Sequence, residues 1–302
     1  MSENPTDVVK DLYERWGAAF ARRPDMPLDE WREMIEEWPV VATEPGGVDY
    51  VEVDANGVPA MWITPKASAT DRVVLGFHGG GFVTGSMYTH RKLFAHLARA
   101  VGSRALLIDY RRAPEHTHPA PVEDALTAYR WLLDQDIDAS HIAFAGDSAG
   151  GGMVVTTMLL ASDRDLPLPA AGMPLSPWFD LRATGASYEL NADKDALLSK
   201  EFGLTLAGMF LGETGDPRDP LASAVHGELA GLPPIYIQAS SDEVLADDSR
   251  SFAARAEEAS VDVRLDLVPG QQHTFQMAVG RCAVADDAIQ RLAGWVRPHL
   301  GL

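Results

Sequence analysis

The chain has 302 residues, of which 46% are hydrophobic and 23% are charged, as in folded globular proteins with a substantial core. Its 44 acidic and 25 basic residues give a formal net charge of −19, which repels the phosphates of nucleic acids and anionic membrane surfaces. The single cysteine, Cys282, excludes an intramolecular disulfide and a cysteine-rich zinc site. We therefore expect no nucleic-acid partner, and a reducing cytoplasm as the location.

The first 45 residues differ in character from the rest of the chain. They lack the basic and apolar regions of a secretory signal, and apolar stretches elsewhere are about half of the roughly 20 residues that span a bilayer. Neither export nor membrane insertion is expected. Apolar residues recur at helical spacing on both sides of a proline-containing break at 24–27. Two amphipathic helices are predicted, which either pack on the core or form a lid over a binding site.

From Val48 onward the hydrophobic period changes to the alternation that is typical of a strand. Apolar residues alternate on both sides of Asn56 and Gly57, a dipeptide that tolerates the positive φ angles of a tight turn. An antiparallel hairpin is therefore predicted to begin the sheet.

Beyond the hairpin, short apolar runs alternate with longer segments of helical spacing. The predicted strands are residues 73–77, 105–108, 142–145, 170–175, 235–239 and 261–268, and the predicted helices are 91–100, 122–133 and 284–296. This alternation is typical of βαβ units, and it predicts an α/β fold with a mostly parallel central sheet and helices on both faces. Residues 180–220 lack the strand pattern and are interpreted as an insertion.

A strand-like run ends and a helix-like run begins at the pentapeptide GDSAG, residues 146–150. A G-x-S-x-G sequence in that setting predicts a nucleophile elbow that exposes the hydroxyl of Ser148. Glycines at both ends allow the close backbone approach that such a turn requires. A glycine-rich turn without chemistry is the alternative interpretation.

A second glycine-rich turn, HGGG at residues 78–81, directly follows the predicted strand 73–77. Its backbone N–H groups can converge and stabilise an oxyanion, and Ala149 can add another N–H from the start of its helix. A dinucleotide site fits less well, because a G-x-G-x-x-G pattern that starts at Gly79 has Thr84 in place of the third glycine.

Ser148 needs a base, and the partners of an elbow serine follow it along the chain in the order acid, then histidine, each after a strand. His273 comes just after the predicted strand 261–268 and meets both conditions. The acid belongs in the loop after strand 235–239. Four acidic residues crowd that loop, and either Asp or Glu can orient a histidine.

These features together resemble the hormone-sensitive-lipase family of α/β-hydrolases, in particular its bacterial carboxylesterases. Four motifs carry the resemblance over roughly residues 50–300: HGGG at 78–81, YRRAPEH at 110–116, GDSAGG at 146–151 and SPWFD at 176–180. The family's acid pattern, D-x-L-x-D, places the acid on Glu243 when its leucine is set on Leu245, and leaves Asp242 as a contender. The spacing of about thirty residues between Glu243 and His273 also resembles that of the family.

The resemblance implies two sets of site residues. The implied catalytic residues are Ser148, Glu243 and His273, and the implied oxyanion donors are the backbone N–H groups of Gly80, Gly81 and Ala149. The resemblance also implies that Asp147 packs under the elbow. A helical cap, built from residues 1–45 and the insertion 180–220, would cover an α/β-hydrolase catalytic domain of residues 46–179 and 221–302. No metal and no cofactor are implied.

The expected function is that of a serine carboxylesterase, which hydrolyses short-chain acyl esters or lactones through an acyl-enzyme. A small-molecule ester is the expected partner, and a homodimer remains open. An amidase or peptidase on the same triad, and a non-catalytic small-molecule-binding protein, are the alternatives, because fold alone does not determine function. Four side chains either line an acyl pocket or pack in the core: Trp178, Phe179, Met209 and Phe210.

Overall fold

The computed structural model describes residues 7–302, in which eight strands form one sheet. The strands are β1 (Val48–Asp54), β2 (Pro59–Pro65), β3 (Val73–Phe77), β4 (Arg104–Ile108), β5 (Ile142–Asp147), β6 (Ala171–Leu175), β7 (Ile235–Ser240) and β8 (Val263–Val268). Their order is β1-β2-β4-β3-β5-β6-β7-β8. β2 is antiparallel to both of its neighbours, and the six strands from β3 to β8 are parallel to one another. The predicted α/β fold with a mostly parallel sheet is confirmed.

Helices pack on both faces of the sheet. They are α1 (Asp7–Arg22), α2 (Leu28–Ile35), α3 (Met87–Val101), α4 (Ala120–Asp134), α5 (Ala149–Asp163), α6 (Ser187–Leu190), α7 (Lys200–Leu211), α8 (Ala246–Glu258) and α9 (Ala283–His299). Successive residues of a strand point to opposite faces. In β3, Leu75 therefore joins the core formed with α4, α5 and α8, whereas Val74 joins the core formed with α3 and α9.

The hairpin between β1 and β2 turns at Asn56 and Gly57. Both residues have positive φ, 60° and 93°, and Ala55 N–H donates to Val58 O at 2.8 Å. Positive φ at both central residues gives a two-residue turn whose twist matches that of the flanking strands. The predicted hairpin is confirmed.

The strand order places β3 beside β5, although β4 lies between them in sequence. β4 pairs with one edge of β3, and the chain then crosses back so that β5 pairs with the opposite edge of β3. Loops that leave the carboxyl ends of strands at such a switch point diverge and open a crevice for a ligand. The turns that hold His78 and Ser148 both begin there.

Two separate chain segments meet above this crevice. α1 and α2 precede the sheet, and α6 and α7 lie between β6 and β7. Phe20 of α1, Trp31 of α2 and Phe202 of α7 contact one another, with ring centroids 5.5 to 6.1 Å apart. The two predicted N-terminal helices are confirmed, while residues 1–6 of the predicted cap lie outside the described residues. In the part of the chain that the structure describes, no helix is long and apolar enough to cross a bilayer.

Candidate active site

Ser148 occupies a sharp turn between the end of β5 and the start of α5. Its backbone angles, φ of 54° and ψ of −119°, lie in a region that residues other than glycine rarely adopt. A Cβ on Gly146 would lie 2.3 Å from Gly150 O, and a Cβ on Gly150 would lie 2.1 Å from Phe77 O. Both glycines are therefore needed, because backbone segments cross closely beneath the serine.

His273, in the loop that follows β8, reaches Ser148. Its Nε2 atom is 2.9 Å from Ser148 Oγ, and the exposed fractions of the two residues are 1% and 7%. The hydroxyl of Tyr13 on α1 donates to His273 O at 3.1 Å and lies 2.7 Å from Thr274 Oγ1. The first helix therefore holds the histidine loop in place, a role for Tyr13 that no sequence pattern indicated.

Glu243 is the acidic residue that lies beside His273. Its Oε2 atom is 3.5 Å from His273 Nδ1, and the residue is fully buried. This contact is longer than a hydrogen bond, as contacts between catalytic groups often are before substrate binds. Asp242 has other partners: its Oδ1 lies 3.2 Å from Lys194 Nζ, and its Oδ2 accepts from Gly270 N–H at 2.8 Å. The structure brings Glu243 to the histidine and does not bring Asp242 there.

Ser176, directly after β6, connects the acid loop with the histidine loop. Its hydroxyl donates to Glu243 Oε2 at 2.7 Å and accepts from Thr274 N–H at 3.1 Å. Ser176 opens the SPWFD motif, and no individual role was inferred for it from the sequence. The available signal was its place at the carboxyl end of a parallel strand, the edge at which the loops of Ser148 and Glu243 also begin.

Glu243 and His273 are both buried, and each changes the pKa of the other. Burial lowers the pKa of His273, but the adjacent carboxylate of Glu243, together with the charges of Asp195 and Asp147, raises the pKa above its ordinary value of 6.5. Burial raises the pKa of Glu243 above 4.5, although His273 and Ser176 favour its ionised form. His273 is therefore a stronger base than a free histidine, which suits the removal of a proton from Ser148.

Gly80 and Gly81 line the same cavity as Ser148, and Ala149 is the first residue of α5. The φ angle of Gly80 is 114°, and a Cβ there would lie 2.3 Å from Thr84 O. Among residues 7–302, the backbone N–H groups of Gly80, Gly81 and Ala149 donate to no hydrogen-bond acceptor. The structure thus gives these three N–H groups no other partner, and their donation to an oxyanion stays a prediction.

Ser148 and His273 line a mostly apolar cavity. Its other walls come mostly from the segments around α1, α2 and α7: Trp16, Phe20, Trp31, Ile35, Trp38, Leu197, Leu198, Phe202 and Leu206. No three His, Cys, Asp or Glu side chains within residues 7–302 form a group that could hold a metal ion. The site can therefore offer a substrate an apolar enclosure with a serine, a histidine and free backbone donors.

Four side chains were considered for an acyl pocket, and the structure separates them. Trp178 lines the cavity. Phe179 and Phe210 are fully buried in the core, and Met209 packs against that core. For these three residues the structure favours the alternative of core packing, since none of them lines the cavity that contains Ser148.

Comparisons with known proteins agree with this architecture. A family model described as the alpha/beta hydrolase fold matches residues 74–277, more than half of the chain. An acetyl-hydrolase of Streptomyces hygroscopicus is 42% identical over 216 residues, which cover 72% of each chain. An esterase of Acinetobacter venetianus is 34% identical over 250 residues, which cover 83% of this chain and 80% of the relative.

A solved structure also matches this chain, and the match extends over the full length of both proteins. The crystal structure of an esterase from the bacterial hormone-sensitive lipase family superposes on this chain with a TM-score of 0.94 at 39% sequence identity, and 100% of each chain is covered. The chain therefore belongs to the α/β-hydrolase fold family and, within it, to the bacterial hormone-sensitive-lipase family of carboxylesterases.

Proposed function

We propose that this protein is a serine carboxylesterase that hydrolyses short-chain acyl esters or lactones through an acyl-enzyme. The observation that carries the proposal is the 2.9 Å contact between Ser148 Oγ and His273 Nε2 inside an apolar cavity. A serine hydroxyl is a weak nucleophile until a base removes its proton. Glu243, 3.5 Å from the other ring nitrogen, supports His273 in that role.

In the first half of the reaction, Ser148 Oγ attacks the carbonyl carbon of the ester while His273 Nε2 accepts the serine proton. The carbonyl oxygen becomes an oxyanion, to which Gly80, Gly81 and Ala149 donate their N–H groups. Each such donor stabilises the transition state by about 3 to 4 kcal/mol. The C–O bond to the alcohol then breaks, His273 gives its proton to the leaving alkoxide, and the acyl group stays on Ser148.

In the second half, a water molecule attacks the acyl carbon, and His273 takes a proton from it. The bond to Ser148 Oγ then breaks, the serine regains a proton from His273, and the carboxylic acid leaves. Glu243 keeps the proton on Nδ1 of His273 and stabilises the imidazolium that forms in each half.

The residues that line the cavity favour substrates with short acyl chains. Phe20, Trp31, Leu197 and Phe202 line both the active-site cavity and a second cavity. Because the three rings contact one another, they divide the space between the two cavities and limit the length of chain that fits beside Ser148. The acetyl-hydrolase among the relatives is consistent with a small acyl group.

The test is hydrolysis of p-nitrophenyl esters from acetate to decanoate, with the matching p-nitroanilides and a lactone assayed beside them. We expect kcat/KM to be highest between acetate and hexanoate and to be at least about 10-fold lower for decanoate. A p-nitrophenyl phosphonate should attach to one residue per chain, which peptide mass spectrometry should identify as Ser148. Turnover of the anilides at rates similar to those of the esters would favour the amidase alternative. No turnover of any ester or lactone would contradict the proposal.

The pH dependence of the reaction follows from the charge state of His273. The imidazolium cannot accept a proton from Ser148, so kcat/KM should fall as the pH decreases. Because Glu243 raises the pKa of His273, the midpoint of this acidic limb should lie above the ordinary value of 6.5. In Glu243→Gln the negative charge is lost, and the midpoint should move to lower pH. A rate that stays constant between about pH 5 and 8 would exclude His273 as the base.

A further inference from the structure

A buried pair of side chains, His90 of α3 and Asp147 at the end of β5, lies behind the predicted oxyanion donors. Both residues are fully buried, and His90 Nε2 is 3.1 Å from each carboxylate oxygen of Asp147. Gly79 N–H lies 3.1 Å from Asp147 Oδ1 and 3.3 Å from His90 Nε2. Three groups from separate elements thus meet at one point, and the proposed reaction steps use none of them.

The chemistry of the groups determines which atom donates. Two hydrogen-bond acceptors would repel each other at 3.1 Å, and where the Asp147 carboxylate accepts, the proton of this contact lies on His90 Nε2. Gly79 N–H therefore donates to Asp147 Oδ1 rather than to the ring. Thr89 Oγ1, 2.7 Å from His90 Nδ1, lies on the opposite edge of the ring.

The position of Asp147 connects this pair to the chemistry. Asp147 immediately precedes Ser148, and Gly79 immediately precedes Gly80, so one carboxylate joins the elbow to the loop of oxyanion donors. The packing is tight, since a Cβ on Gly79 would lie 2.3 Å from Asp147 Oδ2. A rotation of the carboxylate would therefore move the loop relative to the serine.

A residue on the cavity side covers His90. The ring of Trp38, which lines the active-site cavity, lies 5.0 Å from the His90 ring at an interplanar angle of 71°. On the other side, the His78 ring lies 5.8 Å away. His90 is thus packed between rings, and Asp147 is the acceptor within reach of its Nε2 atom.

We propose that His90 is a positioning residue for the oxyanion hole. By fixing the Asp147 carboxylate, it holds the loop of Gly80 and Gly81 in register with Ser148. The inference rests on the proposed function, because an oxyanion forms only when Ser148 attacks an acyl carbon.

The experiment compares His90→Leu, which removes the donor, with His90→Gln, whose side-chain amide can still donate to Asp147. In His90→Leu we expect kcat for p-nitrophenyl butanoate to fall about 10- to 100-fold, the range found when a residue that orients a metal ligand is removed. KM should stay within about twofold, because the oxyanion contacts form in the transition state. His90→Gln should regain most of the lost rate.

A trifluoromethyl ketone provides the second readout. Ser148 Oγ adds to its carbonyl carbon while the serine proton passes to His273, and the resulting oxyanion occupies the place of the reaction's oxyanion. Its inhibition constant should rise in His90→Leu by a factor similar to the loss in kcat. His96→Gln is the matched control, since His96 lies on the same helix but contacts Thr43 O at 3.1 Å, away from Asp147.

Several outcomes would overturn the inference. One is a His90→Leu protein with parental kcat and inhibitor affinity. Another is an equal loss in the leucine and glutamine variants at unchanged melting temperature. If His90→Leu does not fold, His90→Gln decides: a parental kcat and a parental inhibition constant support the inference, and a loss in both contradicts it. If the parent protein hydrolyses no ester, the proposed function fails as well, whereas an active parent with unaffected variants overturns the role of His90 alone.

Discussion

Replacement of Ser148 by alanine is expected to lower kcat for p-nitrophenyl butanoate by about 10⁶-fold, the loss typical of removing the nucleophile of a serine hydrolase. Alanine keeps the Cβ but has no Oγ, so His273 has no hydroxyl proton to accept and no acyl-enzyme can form. The cavity and the backbone donors stay in place, and substrate binding should persist. The measurement is the initial rate of the parent and of the variant, with thermal melting of both proteins to show that the variant is folded.

Ser162→Ala is a suitable control for this variant. Ser162 lies on α5, the helix that Ser148 precedes, but it is exposed. Its replacement should leave both the rate and the melting temperature unchanged. Contamination of the variant by parent protein has to be excluded first. If pure Ser148→Ala then kept more than about one hundredth of the parental rate, another nucleophile would carry the reaction.

Replacement of Glu243 by glutamine is expected to lower kcat by roughly 10³- to 10⁴-fold. The two side chains have nearly the same shape, but the amide has no negative charge and can turn an N–H group toward His273 Nδ1. The histidine then favours the tautomer with its proton on Nε2, which cannot accept the proton of Ser148. The rate would be compared at a pH well above the acidic limb, so that protonation of the parent does not contribute.

Asp242→Asn makes this comparison specific. Asp242 is the neighbour of Glu243 in sequence, but its carboxylate contacts Lys194 and the Gly270 amide near the surface. Asparagine can still accept from Gly270, and an exposed ion pair contributes little. The rate should stay within about threefold of the parent. If Asp242→Asn were the more damaging change, the assignment of the acid would be wrong by one residue.

The sequence was sufficient for most of the sheet because the parallel strands β3 to β7 are short runs of largely buried residues, a strong local signal. β8 at the sheet edge is only partly buried and includes Arg264 and Asp266. The elbow at Ser148 could also be located, since the glycines on both sides of the serine satisfy a local steric requirement. The choice between Glu243 and Asp242 could not be made from residue types alone. Adjacent residues of a loop point in different directions, and only the packed structure determines which one faces His273.

The cavity was the least predictable part of the site. Phe179 and Phe210 are of a residue type that is common both in ligand pockets and in cores. Whether an aromatic ring faces a cavity or the core depends on contacts with distant segments. Tyr13 and Ser176 were missed for the same reason, because their partners lie far away in the chain. No local pattern carries such information.

The hydrogen bond between Tyr13 and His273 O joins residues that are 260 positions apart in the chain. Contacts at such a separation close a very long loop, and they are favoured only after the intervening sheet has reduced the entropy of the chain. During synthesis, α1 leaves the ribosome before the sheet does, and its partner His273 becomes available only after β8 has been made. We expect a nascent chain that lacks its final segment to contain a largely formed sheet but no enclosed cavity, so that hydrolytic activity arises only with the last step of folding.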